Sequence, residues 1–272
     1  MKTFFKTYAR FIYPALILLV SFSVYFPYYG NPQAMFWDEN YHVPNAQKHI
    51  DGMMYMEPHP PLGKMLMAVG EVFFGDNEGI NKQPLLETDY LTGDAAPPNM
   101  TYKGYRWPSV VMMAFSVVFF FGIINCITQR AWLAAAFTSL VIFDNALVIH
   151  SRAAHLDGIQ LFFVLGALYY FVRTVTQFIY HQKAVRLKDY AILGVLIGLG
   201  IMVKVTAAIL MLLFAMLYIV EQWQQIKTWK WEELLRRLAV TVPSAVIPVI
   251  LSICTVFYIH IGMGTKIVAN KT

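Results

Sequence analysis

Long apolar runs separated by short charged stretches dominate the pattern of this chain. A helix needs about 20 largely apolar residues to cross a bilayer. The runs are, approximately, Phe11 to Tyr28, Trp107 to Ile127, Ala131 to Ile149, Ile159 to Ile179, Tyr190 to Val203, Thr206 to Trp223 and Leu238 to Ile261. They predict an all-α integral membrane protein with about seven transmembrane helices, six and eight being the alternatives. The fifth run is short and could form a tightly turned pair with the sixth around Lys204.

The first run follows the basic residues Lys2, Lys6 and Arg10, an arrangement also found in cleaved signal peptides. Residues 25–30 after it are bulky, whereas a cleavage site needs small residues. The pattern therefore favours an uncleaved membrane anchor.

Basic residues mark the side of the membrane on which each connection lies. The N-terminus, Arg130 and the segments 181–188 and 227–237 fall on one side under a seven-span count, and cytoplasmic loops are enriched in Lys and Arg. We therefore expect a cytoplasmic N-terminus and an extracytoplasmic loop at 30–106. The chain then forms one membrane module, 1–272, with an outer loop at 30–106 and a transmembrane bundle at 107–261.

Composition agrees with this class of protein. The 272 residues are 58% hydrophobic with a net charge of +5, which excludes an ordinary soluble domain. The basic residues lie mainly at the ends of the runs, so no nucleic-acid partner is expected. Cys126 and Cys254 lie in apolar runs and imply no disulfide framework.

The outer loop contains more than a connection needs. Residues 40–56 predict a short interfacial helix, and residues 62–74 predict a second, apolar helix after a proline-rich turn. Residues 76–100 are polar and rich in Pro, Gly and Asn, which is typical of a surface loop. Glycosylation sequons occur at Asn99 and Asn270, although the pattern is weak.

Two adjacent acids, Asp38 and Glu39, open this loop close to the membrane surface. One of them could simply cap the helix that follows, because the N-terminal end of a helix favours anions. Capping does not need both acids. The pattern Asp-Glu-x-x-His, ending at His42, lacks the first histidine of the zinc-protease helix, so no protein-held metal is expected.

The chain resembles the protein O-mannosyltransferase family through an ordered set of motifs that extends over almost its whole length. The motifs are Asp38-Glu39, His59-Pro-Pro-Leu-Gly-Lys64, Arg106-x-x-Ser109, Phe143-Asp-Asn-Ala-Leu-Val148, Ser151-Arg152, Leu156-Asp157 and Gly194-x-x-x-Gly198-x-x-x-x-x-Lys204. The resemblance implies a bundle of the GT-C type, with this chain as its N-terminal module and residues 30–106 as its catalytic outer loop, and a transfer of mannose. Inversion is expected if a base-assisted hydroxyl displaces the phosphate in one step. The donor would be a polyprenyl-phosphate carrier, and the acceptors would be Ser or Thr hydroxyls of proteins outside the cytoplasm.

The chemistry of that reaction suggests a role for each polar motif. A Ser or Thr hydroxyl is a poor nucleophile at neutral pH, so a carboxylate base should assist it. The resemblance assigns this role to Asp38, with Glu39 positioning the acceptor or the loop, although either acid could be the base.

The leaving phosphate is already stable as an anion and needs mainly fixed positive charge around it. No cofactor is therefore expected. The candidates for this charge are Lys64, Arg106, Arg152 and Lys204. Each of these cations could instead extend to the lipid headgroups or pair with an acid such as Asp157. The candidate substrate-binding residues are His59, Lys64, Arg106, Arg152, Asp157 and Lys204.

Two alternative functions fit the same residues. The acceptor could be an envelope lipid such as lipid A, or the chain could be a non-catalytic half-enzyme subunit. Family members are usually longer, so the chain could be truncated, split or compact, with a second-half subunit or a homologous dimer partner. It lacks the additional lumenal domain of eukaryotic members, which favours a prokaryotic plasma membrane.

Overall fold

A computed structural model describes residues 2–267, with side chains from 11 to 266; the sequon at Asn270 lies outside this range. The helices are α1 Lys2–Tyr25, α2 Glu39–Asp51, α3 Leu62–Phe74, α4 Gln83–Leu86, α5 Lys103–Thr128, α6 Ala131–Ile142, α7 Asn145–Ser151, α8 Leu156–His181, α9 Leu187–Ile201, α10 Leu212–Glu221, α11 Trp223–Lys227 and α12 Trp231–Met263. Short 3-10 segments cover Gly93–Ala95 and Val205–Met211, and two-residue strands β1 (Met53–Met54) and β2 (Lys266–Ile267) pair in parallel.

Each of the seven apolar runs contains a helix, but the helices differ in their fitness to cross a membrane. Within the described part of the chain, α5, α8 and α12 are long and apolar enough, and α6 with α7 forms a fourth candidate bent by 63°. The apolar parts of α1 and of the Val205–Glu221 segment are shorter. The count of seven spans therefore stays a prediction. Large apolar side chains such as Leu140, Ile250 and Tyr258 are exposed, as expected for helices that face lipid.

Glycines of the sequence motifs lie where helices approach each other most closely. A Cβ on Gly194 of α9 would lie 2.5 Å from the Ala245 carbonyl oxygen of α12. A Cβ on Gly198 of α9 would lie 2.8 Å from the Ser252 Cβ of α12. Small residues at such contacts are characteristic of helix packing in membranes, so these motif positions serve packing.

The fifth and sixth runs form the tightly turned pair that the sequence allowed. The Tyr190 hydroxyl at the start of α9 donates to Glu221 at the end of α10 over 2.8 Å, so the two helices are antiparallel. The chain reverses at Met202 to Lys204, between α9 and the 3-10 segment. This reversal places Lys204 at the end of the bundle where the outer loop lies.

The outer loop is folded onto the bundle. Helix α3 has the predicted bounds, whereas α2 ends at Asp51 because Gly52 adopts a left-handed conformation with φ of 68°. The Leu62 amide donates to the Met202 carbonyl over 3.0 Å. A Cβ on Gly70 would lie 2.4 Å from the Gly104 carbonyl oxygen, so α3 lies directly against α5. The loop and the bundle therefore share one packed interface.

Candidate active site

A polar cleft opens between the start of α2 and the proline-rich turn before α3. Its volume is about 360 Å³, and its lining residues are Asp38, Tyr41, His42, Asn45, Met56, Glu57, Pro58, His59 and Asp89. The other side of the 56–59 segment lines a second cleft of about 290 Å³, which Val205 and Phe257 of the bundle complete. The proline-rich turn therefore separates the polar cleft from a second one, in which Glu57, His59 and His260 line the wall together with apolar side chains.

Asp38 lies on the polar cleft and is exposed. It occupies the N-cap position of α2, yet its side chain makes no capping hydrogen bond. Only its backbone carbonyl takes part, accepting from the amides of Tyr41 and His42 at 3.0 Å. No hydrogen bond or ion pair of its carboxylate occurs among the described side chains, so this acid is free to act on a bound molecule.

Glu39, the neighbouring acid, has the opposite environment because it is completely buried. Its two carboxylate oxygens accept from Arg106 Nε and Nη2, both at 2.7 Å. The Ala154 amide donates to Oε1 at 2.7 Å and the Phe36 amide to Oε2 at 3.2 Å. Glu39 thus joins the outer loop, α5 and the link between α7 and α8.

Arg106 is the centre of the same closed network. Besides Glu39, its guanidinium donates to the carbonyls of Pro32 at 2.8 Å, Ala34 at 2.9 Å and, more weakly, Tyr29 at 3.4 Å. These acceptors use the five N–H donors that an arginine has, and the side chain is 0% exposed. All five donors are thus occupied within the protein, and a contact of Arg106 with the donor phosphate stays a prediction.

Lys64 is also buried, and its ammonium contacts the Glu57 carboxylate, which Asn45 contacts as well. Burial, and secondarily the nearby Lys204, lower the pKa of Lys64. The adjacent Glu57 carboxylate opposes this by favouring the charged form. The ammonium is enclosed in this structure, and a phosphate contact of Lys64 stays a prediction.

Arg152 takes a third structural position. Its Nη2 donates to the Val24 carbonyl at 2.8 Å and its Nε to the Tyr25 carbonyl at 3.2 Å. These are the last carbonyls of α1, which lack partners within the helix and carry partial negative charge. Arg152 thus holds the end of α1. Its phosphate contact stays a prediction.

Lys204 pairs with Asp157 in a bond of 2.5 Å, which is the alternative that the sequence left open for the cations. Both side chains stay partly exposed, at 27% and 47%. Unlike Arg106 and Lys64, Lys204 therefore remains accessible to a bound anion.

Four histidines extend from the cleft into the protein. The ring centroids of His59 and His42 are 6.3 Å apart, those of His42 and His155 are 6.3 Å apart, and those of His155 and His150 are 5.8 Å apart. Burial lowers the pKa of His42 well below its usual value, and the Lys64 charge adds to this. Burial also lowers the pKa of His155. The buried members are therefore neutral near pH 7, while His59 is exposed at the cleft mouth.

Sequence reasoning missed Glu57 as part of this region and missed the contact that Trp37 makes. Glu57 was recoverable, because a lysine within an apolar helix such as α3 requires a nearby acid. Trp37 has a positive φ of 52° and its ring centroid lies 4.5 Å from that of His150. No pattern in the sequence indicates that contact, because it joins residues more than a hundred positions apart.

The comparisons with known proteins agree with this architecture. The family described as dolichyl-phosphate-mannose-protein mannosyltransferase matches residues 15–263. The chain is 31% identical over 156 residues to dolichyl-phosphate-mannose–protein mannosyltransferase 1 of Candida albicans, covering 56% of this chain and 17% of the relative. Mannosyltransferase 5 of the same yeast is 24% identical over 235 residues, 84% of this chain and 30% of the relative. Protein O-mannosyl-transferase 2 of Danio rerio is 27% identical over 60% of this chain and 20% of its own length.

A solved structure shows the same fold. The Saccharomyces cerevisiae protein O-mannosyltransferase Pmt1-Pmt2 complex bound to the sugar donor superposes with a TM-score of 0.75. Its sequence is 21% identical, and the match covers 94% of this chain and 34% of that chain. The fold is therefore the GT-C-type helical bundle that the sequence predicted.

The helices and their outer-loop cleft define an integral membrane protein of the GT-C class. Within that class the chain belongs to the dolichyl-phosphate-mannose-protein mannosyltransferase family. It spans less than a third of the length of the three curated relatives named above. Those relatives are eukaryotic, so the expected prokaryotic plasma membrane and the orientation of the spans stay predictions.

Proposed function

We propose that this chain carries the catalytic carboxylate of an inverting transferase. It would move mannose from a polyprenyl-phosphate carrier to Ser or Thr hydroxyls of proteins at the outer membrane face. The observation that supports this most is the contrast between its two adjacent acids. In the described part of the chain, the Asp38 carboxylate is exposed on the polar cleft without a hydrogen bond or ion pair, whereas Glu39 is enclosed in a bidentate pair with Arg106. We therefore assign the base role to Asp38.

The reaction would be a single displacement. Asp38 accepts the proton of the acceptor hydroxyl while its oxygen attacks the anomeric carbon, and the carrier phosphate departs as an anion with inversion at that carbon. Lys204 is the accessible cation near the cleft, and its bond to Asp157 can be exchanged for one to a phosphate oxygen. His59 at the cleft mouth can exchange hydrogen bonds with hydroxyl groups of the acceptor or the sugar. No cofactor takes part in this proposal.

We further propose that the working enzyme contains more than this chain's groups. The solved relative is a complex of two family members, and the curated relatives are several times longer than the matched region. A second family subunit would complete the donor site, with the lipid tail of the carrier remaining in the bilayer beside the bundle.

The test is transfer of radiolabelled mannose from polyprenyl-phosphate mannose to a Ser/Thr-rich peptide, in membranes that contain the chain. Asp38→Asn should lower transfer by about 10²–10⁴-fold, the usual contribution of a general base. Asp94→Asn is the matched control, because Asp94 is exposed in a 3-10 turn and lines neither cleft.

Three outcomes would contradict parts of the proposal. Near-normal transfer by Asp38→Asn would remove Asp38 from the base role. Label found in envelope lipid and not in peptide would favour the lipid-acceptor alternative. Transfer that requires the chain yet is unaffected by Asp38→Asn would favour a non-catalytic subunit.

A further inference from the structure

Among the described residues, one group of side chains combines metal-ligand chemistry with the required closeness. His150 near the end of α7, His155 before α8 and Asp157 in the first turn of α8 each offer a ligand atom within 4.8 Å of the other two. His150 Nδ1 and Asp157 Oδ2 are 4.0 Å apart. We propose that these three residues bind a divalent transition-metal ion of the zinc type, a site that the sequence did not predict.

His155 provides an independent reason to expect a ligand. It is 3% exposed, and its Nε2 is enclosed without a hydrogen-bond partner in the described part of the chain. A buried polar atom without a partner costs free energy, and most such atoms in proteins are paired. Coordination of the imidazole to a metal ion would use that side chain's unmet bonding capacity.

The donor set selects the class of metal. Two imidazoles and one carboxylate are ligands that Zn²⁺ favours, with bonds of about 2.0–2.2 Å. In a tetrahedral site such bonds put ligand atoms about 3.3 Å apart, so the present spacing must close by about 1 Å. The half-exposed His150 can supply this movement by rotation. Three protein ligands leave a fourth position open, as in catalytic zinc sites.

Lys204 is the one feature that opposes binding. Its ammonium bonds to Asp157 Oδ1, which leaves Oδ2 facing His150. Metal binding therefore needs only one oxygen of Asp157, although the lysine charge still repels the ion. Removing that charge should consequently strengthen binding, an expectation that separates a built site from incidental contact with surface histidines.

The test uses the full chain in detergent, purified through a tag without histidines, with Co²⁺ as the probe. Tetrahedral Co²⁺ absorbs visible light, and Zn²⁺ added afterwards should displace it. We expect one ion per chain, and a loss of affinity of at least about tenfold in His155→Ala and in the more exposed His150→Ala. Lys204→Met should bind more tightly than the unchanged protein. Fluorescence of Trp37, identified by comparison with Trp37→Phe, should be quenched on binding.

His181→Ala is the matched control, because His181 is exposed at the far end of α8. It should bind Co²⁺ like the unchanged protein. The absence of saturable binding would overturn the proposal, as would equal binding by His150→Ala and the unchanged protein. Tighter binding in Lys204→Met that persists after His150→Ala would also overturn it, because the ion would then lie elsewhere. None of these readouts depends on transferase activity.

Discussion

Replacing Glu39 by Gln should strongly lower the free energy of unfolding, although the two side chains have nearly the same shape. Each Glu39 oxygen accepts two donors: Oε1 from Arg106 Nε and the Ala154 amide, Oε2 from Arg106 Nη2 and the Phe36 amide. Glutamine must place its NH₂ group where one of these oxygens stood. In either orientation that NH₂ faces two N–H donors, so two hydrogen bonds are lost and the Arg106 charge stays uncompensated.

The size of the effect follows from complete burial. Both side chains are 0% exposed, and breaking a buried ion pair by removing one partner costs about 3–5 kcal/mol. At about 2–4 °C per kcal/mol for a chain of this size, the melting temperature should fall by about 6–20 °C. The measurement is loss of the monodisperse peak in size-exclusion chromatography after heating in detergent.

Asp38→Asn is the matched control, because it makes the same chemical change one residue earlier. Asp38 is exposed and its side chain has no cap hydrogen bond, so the free energy of unfolding should change by less than about 0.5 kcal/mol. The two substitutions should thus have different effects. Asp38→Asn should lose transfer and keep its stability, whereas Glu39→Gln should lose stability.

A double variant distinguishes the loss of the Glu39–Arg106 contact from the effect of an unpaired, buried Arg106 charge. Glu39→Leu with Arg106→Met removes both charges, and apolar replacements of a buried pair are often neutral or stabilising. It should therefore melt above Glu39→Gln. A Glu39→Gln protein that melts within 2 °C of the unchanged protein, about 0.5–1 kcal/mol, would refute the reasoning. Normal melting together with lost transfer would instead place Glu39 in contact with substrate.

Two further predictions concern other buried charges. Glu57→Gln should lower the free energy of unfolding by about 3–5 kcal/mol, because it leaves the Lys64 ammonium buried without its anion. Adding Lys64→Met should recover part of the loss. An unchanged melting temperature of Glu57→Gln would contradict this. Burial raises the pKa of Glu71 from 4.5 to about 7, so the folded protein holds a proton that the unfolded chain releases. The free energy of unfolding should therefore fall by roughly 3 kcal/mol as pH rises from 4.5 through 7. In Glu71→Gln the melting temperature should depend less on pH over this range. An equal pH dependence in both proteins would refute the assignment.

The helices were predictable because each depends on local sequence. Hydropathy alone marks the helices of the bundle, since lipid excludes unsatisfied polar groups. Helix α3 was predicted to the residue because prolines precede it and Gly75 follows it. The end of α2 was misplaced although Gly52 marks it locally as a left-handed C-cap. Residues 53–54, which were predicted as helix, instead pair with residues 266–267. That contact joins distant parts of the chain, and no local pattern reveals it.

The site was only partly predictable for the same physical reason. The sequence identified the acids and cations that gather near the outer loop, but it did not identify which of them are enclosed. Enclosure of Arg106 depends on the carbonyls of Pro32 and Ala34, which come from an irregular segment. Enclosure of Lys64 depends on Glu57 across a proline-rich turn. A buried structural pair and an exposed catalytic pair therefore have the same appearance in the sequence.

The adjacency of Asp38 and Glu39 acquires a physical explanation from this difference. Helix α2 begins at Glu39, and the bidentate pair with Arg106 fixes its first turn to the start of α5. Because Asp38 precedes that fixed residue directly, its backbone is held while its carboxylate remains in the cleft. A base needs a defined position and an open lone pair, and in the proposed mechanism Glu39 provides the first while Asp38 keeps the second. Dividing the two requirements between neighbours gives the cleft an acid that is positioned through Glu39 and is still free to accept a proton.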